Sequence, residues 1–287
     1  MNIEVRNCFF QYQTLASSQT MVLDDISVKI KEGEFIGIVG PTGSGKTTFL
    51  QQLNGLLVPT KGNVTYDLSG KTLSPDEMKK IRRKIGLVFQ FPENQFFEET
   101  VFQEIAFGLK QFKLEKEEVR SRVEEALIQV GLEPSRYLEM SPFELSGGEK
   151  RRVAIACVLV IQSEVLVLDE PTAGLDAANA NRIESILEAA HQSGKTVLLV
   201  SHDMDLIARL AKRVLVFVKG KILFDGSVLS LFEKDSILAQ ARLQRPRIQQ
   251  YLIQLKESGL NVRTDLFTYE DAKNEIQTSL KNQESAI

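Results

Sequence analysis

The sequence predicts an α/β fold: a mostly parallel sheet with helices on its faces, interrupted by a helical insertion. Three observations predict it. Val165–Asp169 and Thr196–Ser201 are apolar almost throughout, as strands buried on both faces of a parallel sheet are. Each is followed by a segment with helical periodicity, about 177–191 and 203–211. Between Pro92 and Cys157 the strand pattern stops and apolar residues recur at helical spacing.

Taken in order, Ile3–Val5, Ile26–Ile30 and Glu34–Val39 read as strands, the second with apolar–polar alternation. Gln13–Thr20 is polar and reads as a loop. A helix starts at Lys46, runs to about Leu56 and ends near Pro59. Asn63–Tyr66 and Ile85–Phe89 are strands. The basic run Lys79-Lys80-Ile81-Arg82-Arg83-Lys84 is the solvated face of a helix leading into the second of them. In the insertion, about 92–157, Val101, Ile105, Ala106 and Leu109 form one helical stripe. Val119, Val123, Ala126, Leu127 and Val130 form another, stopped by Gly131. Val214–Val218 and Ile222–Phe224 pair around Lys219-Gly220. After Gly226 the chain turns polar and helical, with apolar stripes at Val228, Leu231, Phe232 and at Ile248, Leu252, Leu255. The expected division is therefore 1–226 and 227–287, with disorder over Asn282–Ile287.

The 287 residues are 43% hydrophobic and 25% charged, with a net charge of −3. Such a chain carries no global field for nucleic acid, and no nucleic-acid partner is expected. Cys8 and Cys157 are isolated and in apolar company, so both read as reduced core residues rather than a disulfide or metal pair. The N-terminus has no secretory pattern. The longest apolar run, Val153–Ile161, is about half of the roughly 18 residues a bilayer span needs. If the protein serves transport, another chain supplies the pore.

Gly40-Pro41-Thr42-Gly43-Ser44-Gly45-Lys46-Thr47 is a full P-loop between a strand and a helix. Its glycines let backbone N–H groups close on phosphate oxygens of ATP, and the helix N-terminus adds positive potential. Lys46 reads as the contact for the β- and γ-phosphates, Thr47 as a Mg²⁺ ligand and Thr48 as reaching the α-phosphate. Asp169 ends a buried strand, where a carboxylate needs a cation, and Mg²⁺ at Thr47 is the natural one. Glu170 follows as the general base for water attack. Ser146-Gly147-Gly148 is a turn opening a helix near Glu149, an anion-binding arrangement. Of the two histidines, His191 sits in a polar helix end and reads as a surface residue. His202 lies at the carboxyl edge of the sheet, where ligands bind.

The order P-loop, Leu145-Ser146-Gly147-Gly148-Glu149, Val165–Glu170 resembles the ATP-binding subunits of ABC transporters over most of residues 1–225. The resemblance implies a P-loop ABC ATPase with a RecA-like parallel-sheet core, an antiparallel β subdomain, an inserted helical subdomain and a C-terminal helical extension. It implies that Tyr12 stacks on adenine and that Gln90 reports Mg²⁺ and γ-phosphate occupancy. It assigns His202 to the γ-phosphate, beside the catalytic Glu170 and Lys46. It further implies that Ser146, Gly147, Gly148 and Glu149 contact the γ-phosphate held by an opposite subunit. Ala173-Gly174-Leu175-Asp176 would run across that dimer interface. Glu149 departs from the commoner glutamine, which puts the strength of the trans contact in question.

A narrower resemblance lies in Phe89-Gln90-Phe91-Pro92-Glu93-Asn94-Gln95-Phe96-Phe97-Glu98-Glu99-Thr100-Val101, followed by Ile105-Ala106-Phe107-Gly108. These stretches are similar to energy-coupling factor (ECF) transporter ATPases of the cobalt-transport type, and more to the second of the two than to the first. The resemblance implies a heterodimer with a second, homologous ATPase and a membrane coupling subunit docking near Phe91–Phe97. It also implies small substrate-binding membrane proteins for vitamins or metal ions, and a place at the cytoplasmic face of the cell membrane. The C-terminal extension would help the two ATPases pair. Two alternatives stay open at this point: the homodimeric ATPase of a conventional importer or exporter, and a soluble ABC ATPase acting on nucleic acid or ribosomes.

Overall fold

A computed structural model describes residues 1–12, 21–67 and 75–284; the expected loop at Gln13–Thr20 lies outside them. The first strands are β1 (Ile3–Gln11), β2 (Met21–Ile30) and β3 (Phe35–Val39). Helix α1 (Lys46–Leu53) and β4 (Lys61–Tyr66) follow, then α2 (Pro75–Lys84) and β5 (Ile85–Val88). The insertion carries α3 (Val101–Phe107), α4 (Lys116–Gln129), α5 (Pro134–Tyr137) and α6 (Gly147–Leu159). Alternation then resumes with β6 (Val165–Asp169), α7 (Ala177–Gln192), β7 (Thr196–Val200), α8 (Met204–Leu210), β8 (Arg213–Val218) and β9 (Lys221–Ser227). Four helices close the chain: α9 (Val228–Phe232), α10 (Asp235–Ala241), α11 (Arg247–Glu257) and α12 (Tyr269–Glu284).

The larger sheet has the order β5-β6-β7-β3-β8-β9, parallel except for β9, and a second, antiparallel sheet has the order β2-β1-β4. Period-2 geometry explains why the central strands are apolar on both sides. Val165, Val167, Leu198, Val200, Leu215 and Phe217 point into a core shared with α1 and the antiparallel sheet. Their neighbours Leu166, Leu168, Val197, Leu199, Val214 and Val216 point into a second core with α7, α8 and the insertion.

Several boundaries differ from expectation for local reasons. Strand β1 runs well past Val5 because the irregular pairing around Asn7, at φ 45, carries the strand on to Phe10. Helix α1 stops at Leu53 rather than Leu56, since Gly55 takes a left-handed φ of 72 and the Asn54 side chain bonds the Ile85 carbonyl at 2.7 Å. Helices α9 and α10 bury Val228, Leu231, Phe232, Leu238 and Ala241 in the sheet's own core. Farther along, Leu252, Val262 and Ala272 form a small cluster of their own. Of the stretch Asn282–Ile287 expected to be disordered, α12 continues through Glu284, and residues 285–287 lie outside the described residues. His191 is half-buried, its ring edge-on to Phe35 at 5.4 Å, so it is a packing residue and not a free surface one. Both cysteines are free; Cys8 is buried and Cys157 only partly so.

Candidate active site

Sheet order builds the site. Neighbouring strands β5, β6, β7 and β3 run parallel, so their carboxyl ends share one edge. The residues at or just beyond those ends are Gln90, Asp169 with Glu170, His202, and the P-loop. They line one cleft, joined by Thr42, Gly43, Gly45, Lys46, Thr47 and Thr48.

The P-loop is shaped by backbone constraints. Gly40 has φ 139, and a Cβ there would lie 2.0 Å from the Phe217 carbonyl oxygen, so only glycine fits. Gly45 is the residue before α1, at φ 101, and turns the chain into the helix. Buried Lys46 donates through Nζ to the carbonyls of Gly40 at 2.7 Å and Pro41 at 3.0 Å. Burial lowers its pKa, while Glu170 and Asp169 oppose that. The Thr47 hydroxyl donates to Asp169 Oδ2 at 2.5 Å. Tyr12 stands at the cleft mouth, half-exposed, sharing a 3.2 Å hydrogen bond with the Thr48 hydroxyl and packing edge-on against Phe10.

Glu170 is the most perturbed group in the cleft. Burial pushes its carboxyl up to about 7; Asp169 adds to the rise, and the His202 amide and Lys46 oppose it. Its backbone is left-handed, at φ 52, anchored by donation from its N–H to the Val200 carbonyl at 3.0 Å. Glu170 Oε1 is buried without a hydrogen-bond partner among the described residues, and His202 Nε2 stands 3.5 Å from it. Burial and Lys46 lower the His202 pKa, so its ring favours the neutral form. A carboxylate short of partners, beside a neutral imidazole and a lysine, can take a proton from a water and leave negative charge facing Lys46.

Ser146–Glu149 do not line this cleft. They open α6, where Ser146 is the N-cap and forms a capping box with Glu149. Ser146 and Gly147 are exposed.

Residues 23–173 match the family described as ABC transporter. The energy-coupling factor transporter ATP-binding protein EcfA2 of Clostridium tetani is 43% identical over 283 residues, 98% of each chain. The protein so named from Clostridium perfringens is 39% identical over 285 residues, 98% of this chain and 99% of the relative. The chain belongs to the ABC transporter ATP-binding family. Solved structures agree. CbiO1 of Clostridium perfringens, described as part of the ABC transporter complex cbiONQ, superposes with a TM-score of 0.74 at 34% identity, covering 90% of this chain and 96% of its own. The ATP-binding cassette MJ0796, solved as a dimer bound to ADP and Pi, gives 0.71 at 32% identity, covering 79% of this chain and 98% of its own.

Within this ABC ATPase, sequence reasoning missed Arg151. It is 1% exposed. Its guanidinium forks onto Glu93 at 2.9 and 3.1 Å, lies 5.5 Å from the Phe91 ring and donates to the carbonyls of Glu170, Pro171 and Ala173. Its neighbour Arg152 instead donates to the Gly131 carbonyl at 2.9 Å, closing the end of α4. Two adjacent arginines near the start of a helix read alike in sequence; only their different directions around α6, about 100° apart, separate them. Glu104 was missed as well. Its carboxylate accepts from the backbone of Phe97 at 3.0 Å and Glu98 at 2.9 Å, fixing the Phe97 turn. Phe97 is 59% exposed and stacks edge-on with exposed Phe107 at 4.7 Å, and Phe91 is exposed nearby in sequence.

Proposed function

We propose that this ATPase is one of two different motor subunits of an ECF-type importer, with the ATP site divided between them. In the cleft, Lys46 contacts the β- and γ-phosphates, Thr48 the α-phosphate and Tyr12 the adenine. Glu170 polarises the attacking water, and His202 contacts the γ-phosphate. Thr47 and Asp169 offer hard oxygen donors 2.5 Å apart, a set that suits Mg²⁺, and Gln90 lines the same cleft. These three residues would hold the ion, which would neutralise charge on the β- and γ-phosphate oxygens.

The observation that carries the proposal is the division of the motifs. The cleft gathers Lys46, Thr47, Thr48, Gln90, Asp169, Glu170 and His202, while Ser146, Gly147, Gly148 and Glu149 lie on another element with the serine exposed. A turn so placed serves the nucleotide of a second ATPase, and the dimeric cassette among the structural relatives supports that arrangement. The near-full-length match to proteins named as ECF ATP-binding proteins supports the importer type. The exposed aromatics Phe91, Phe97 and Phe107 supply a docking face for helices of a membrane coupling subunit, whose partners bind a vitamin or metal ion. Among the described residues no helix is long and apolar enough to cross a membrane, which fits a subunit held at the cytoplasmic face of the membrane by those partners. In this reading α11 and α12 help the two ATPases pair.

Affinity purification of the tagged protein from gently solubilised membranes, with mass spectrometry of what accompanies it, tests the proposal. A different ATPase, a coupling protein and several small membrane proteins are expected. A permease pair without a second ATPase would move the chain to a conventional importer or exporter. Ribosomal or nucleic-acid partners alone would overturn the transport assignment.

A further inference from the structure

Ser146 has two polar hydrogens, and both go to one atom. Its N–H and its hydroxyl donate to Glu149 Oε2, at 2.9 and 2.6 Å. The other carboxylate oxygen, Oε1, accepts the Tyr137 phenol at 2.6 Å. The Glu149 N–H returns to Ser146 Oγ at 3.4 Å. Tyr137 is buried at the end of α5, and the segment after it is pinned to α3 by donation from Val101 to the Met140 carbonyl and from Phe102 to the Leu138 carbonyl. The phenol is thus held by the insertion's backbone, not by a mobile surface segment.

A hydroxyl carries one proton, and a carboxylate can only accept. Ser146 therefore cannot keep its bond to Glu149 and also donate to a phosphate oxygen. The carboxylate competes with any phosphate that reaches the turn. A neutral amide at 149 would compete less, because the bond it replaces is charge-assisted.

We propose that Tyr137 is a positioning residue that sets how readily Ser146 gives up its hydroxyl proton to the γ-phosphate held by the partner ATPase. By donating to Oε1, the phenol draws negative charge away from Oε2 and loosens that oxygen's hold on the serine. It also fixes the plane of the carboxylate, so that Oε2 keeps facing Ser146. This rests on the reading of Ser146 as a trans ligand.

Tyr137→Phe removes the donor and keeps the ring. In the complex purified with its partners, the KM for ATP and the ATP concentration that drives the two ATPases together should rise roughly 5-fold, the scale of one weakened charge-assisted bond. Turnover at saturation should change by less than about twofold, because the bond is traded on engagement. Affinity of the isolated chain for a fluorescent ATP analogue should not move. Glu149→Gln alone should lower KM, and adding Tyr137→Phe to it should leave KM within about twofold, since the charge is gone. An equal Tyr137→Phe effect in both backgrounds, a loss of affinity in the isolated chain, or no effect at all would overturn the proposal. Ser146→Ala separates the two layers. If it shifts neither KM nor association, the trans reading itself falls. If it raises KM while Tyr137→Phe does not, the tyrosine's role falls alone.

Discussion

On the cleft side, Lys46 is already held by the Gly40 and Pro41 carbonyls and Thr47 by Asp169. At the turn that opens α6, the polar hydrogens of Ser146 are already committed to Glu149. The cleft is preorganised for a ligand of its own, with buried groups whose desolvation folding has already met. If the Ser146 turn serves a partner's nucleotide as proposed, it must exchange an existing bond for a new one each time it engages. In the proposed pair of ATPases, subunit closure rather than nucleotide capture is then the step at which this chain can be tuned.

Substitutions should separate the two faces by size of effect. Glu170→Gln should lower phosphate release by roughly 10²–10⁴-fold, the usual contribution of a positioned base. Binding of a fluorescent ATP analogue should persist; turnover equal to the native protein would remove Glu170 from the chemistry. Ser146→Ala should cost roughly 10- to 100-fold in kcat/KM of the assembled pair, as a lost bond to a charged group does. It should leave analogue binding to the isolated chain intact, and weakened binding there would merge the two faces. Tyr12→Ala should weaken nucleotide binding by about tenfold through lost stacking on the base, read by the same titration. A leucine that binds as well as tyrosine would leave only apolar contact in that role.

The smallest effect concerns acid. Hydrogen bonds from Ser146 and Tyr137 hold the Glu149 carboxyl down at about 2, below its ordinary value of 4.5. A lowered folded pKa adds stability above the unfolded value, and that stability is lost as pH falls toward the folded one. Glu149→Gln should therefore lose less stability than the native chain between about pH 4.5 and pH 2, in urea unfolding at stepped pH. Parallel losses would mean that the network seen here does not persist in solution.

The sequence made the cleft side legible because its groups are local. The P-loop is contiguous, Asp169 and Glu170 are adjacent, and an apolar strand delivers each. Sheet order then needs only the rule that parallel strands present ligands at their carboxyl ends. The Ser146–Glu149 turn was legible as a motif but not as a mechanism. Tyr137 meets Glu149 across two short turns, and nothing in either residue type announces the contact. Arg151 was hidden because its acceptors are mostly backbone carbonyls far along the chain, which leave no trace in side-chain pattern. The length of β1 was hidden by Asn7, whose left-handed φ of 45 carries the strand through what reads as a break.

The backbone of Glu170, at φ 52, is in a region that costs a residue with a Cβ about 1–2 kcal/mol. Glycine would sit there without that strain, and with no carboxylate to bury. Evolution toward stability alone would lead this position to glycine. A glutamate that is both strained and buried is a sign that the chain has been kept for what it does, at some expense to how firmly it stays folded.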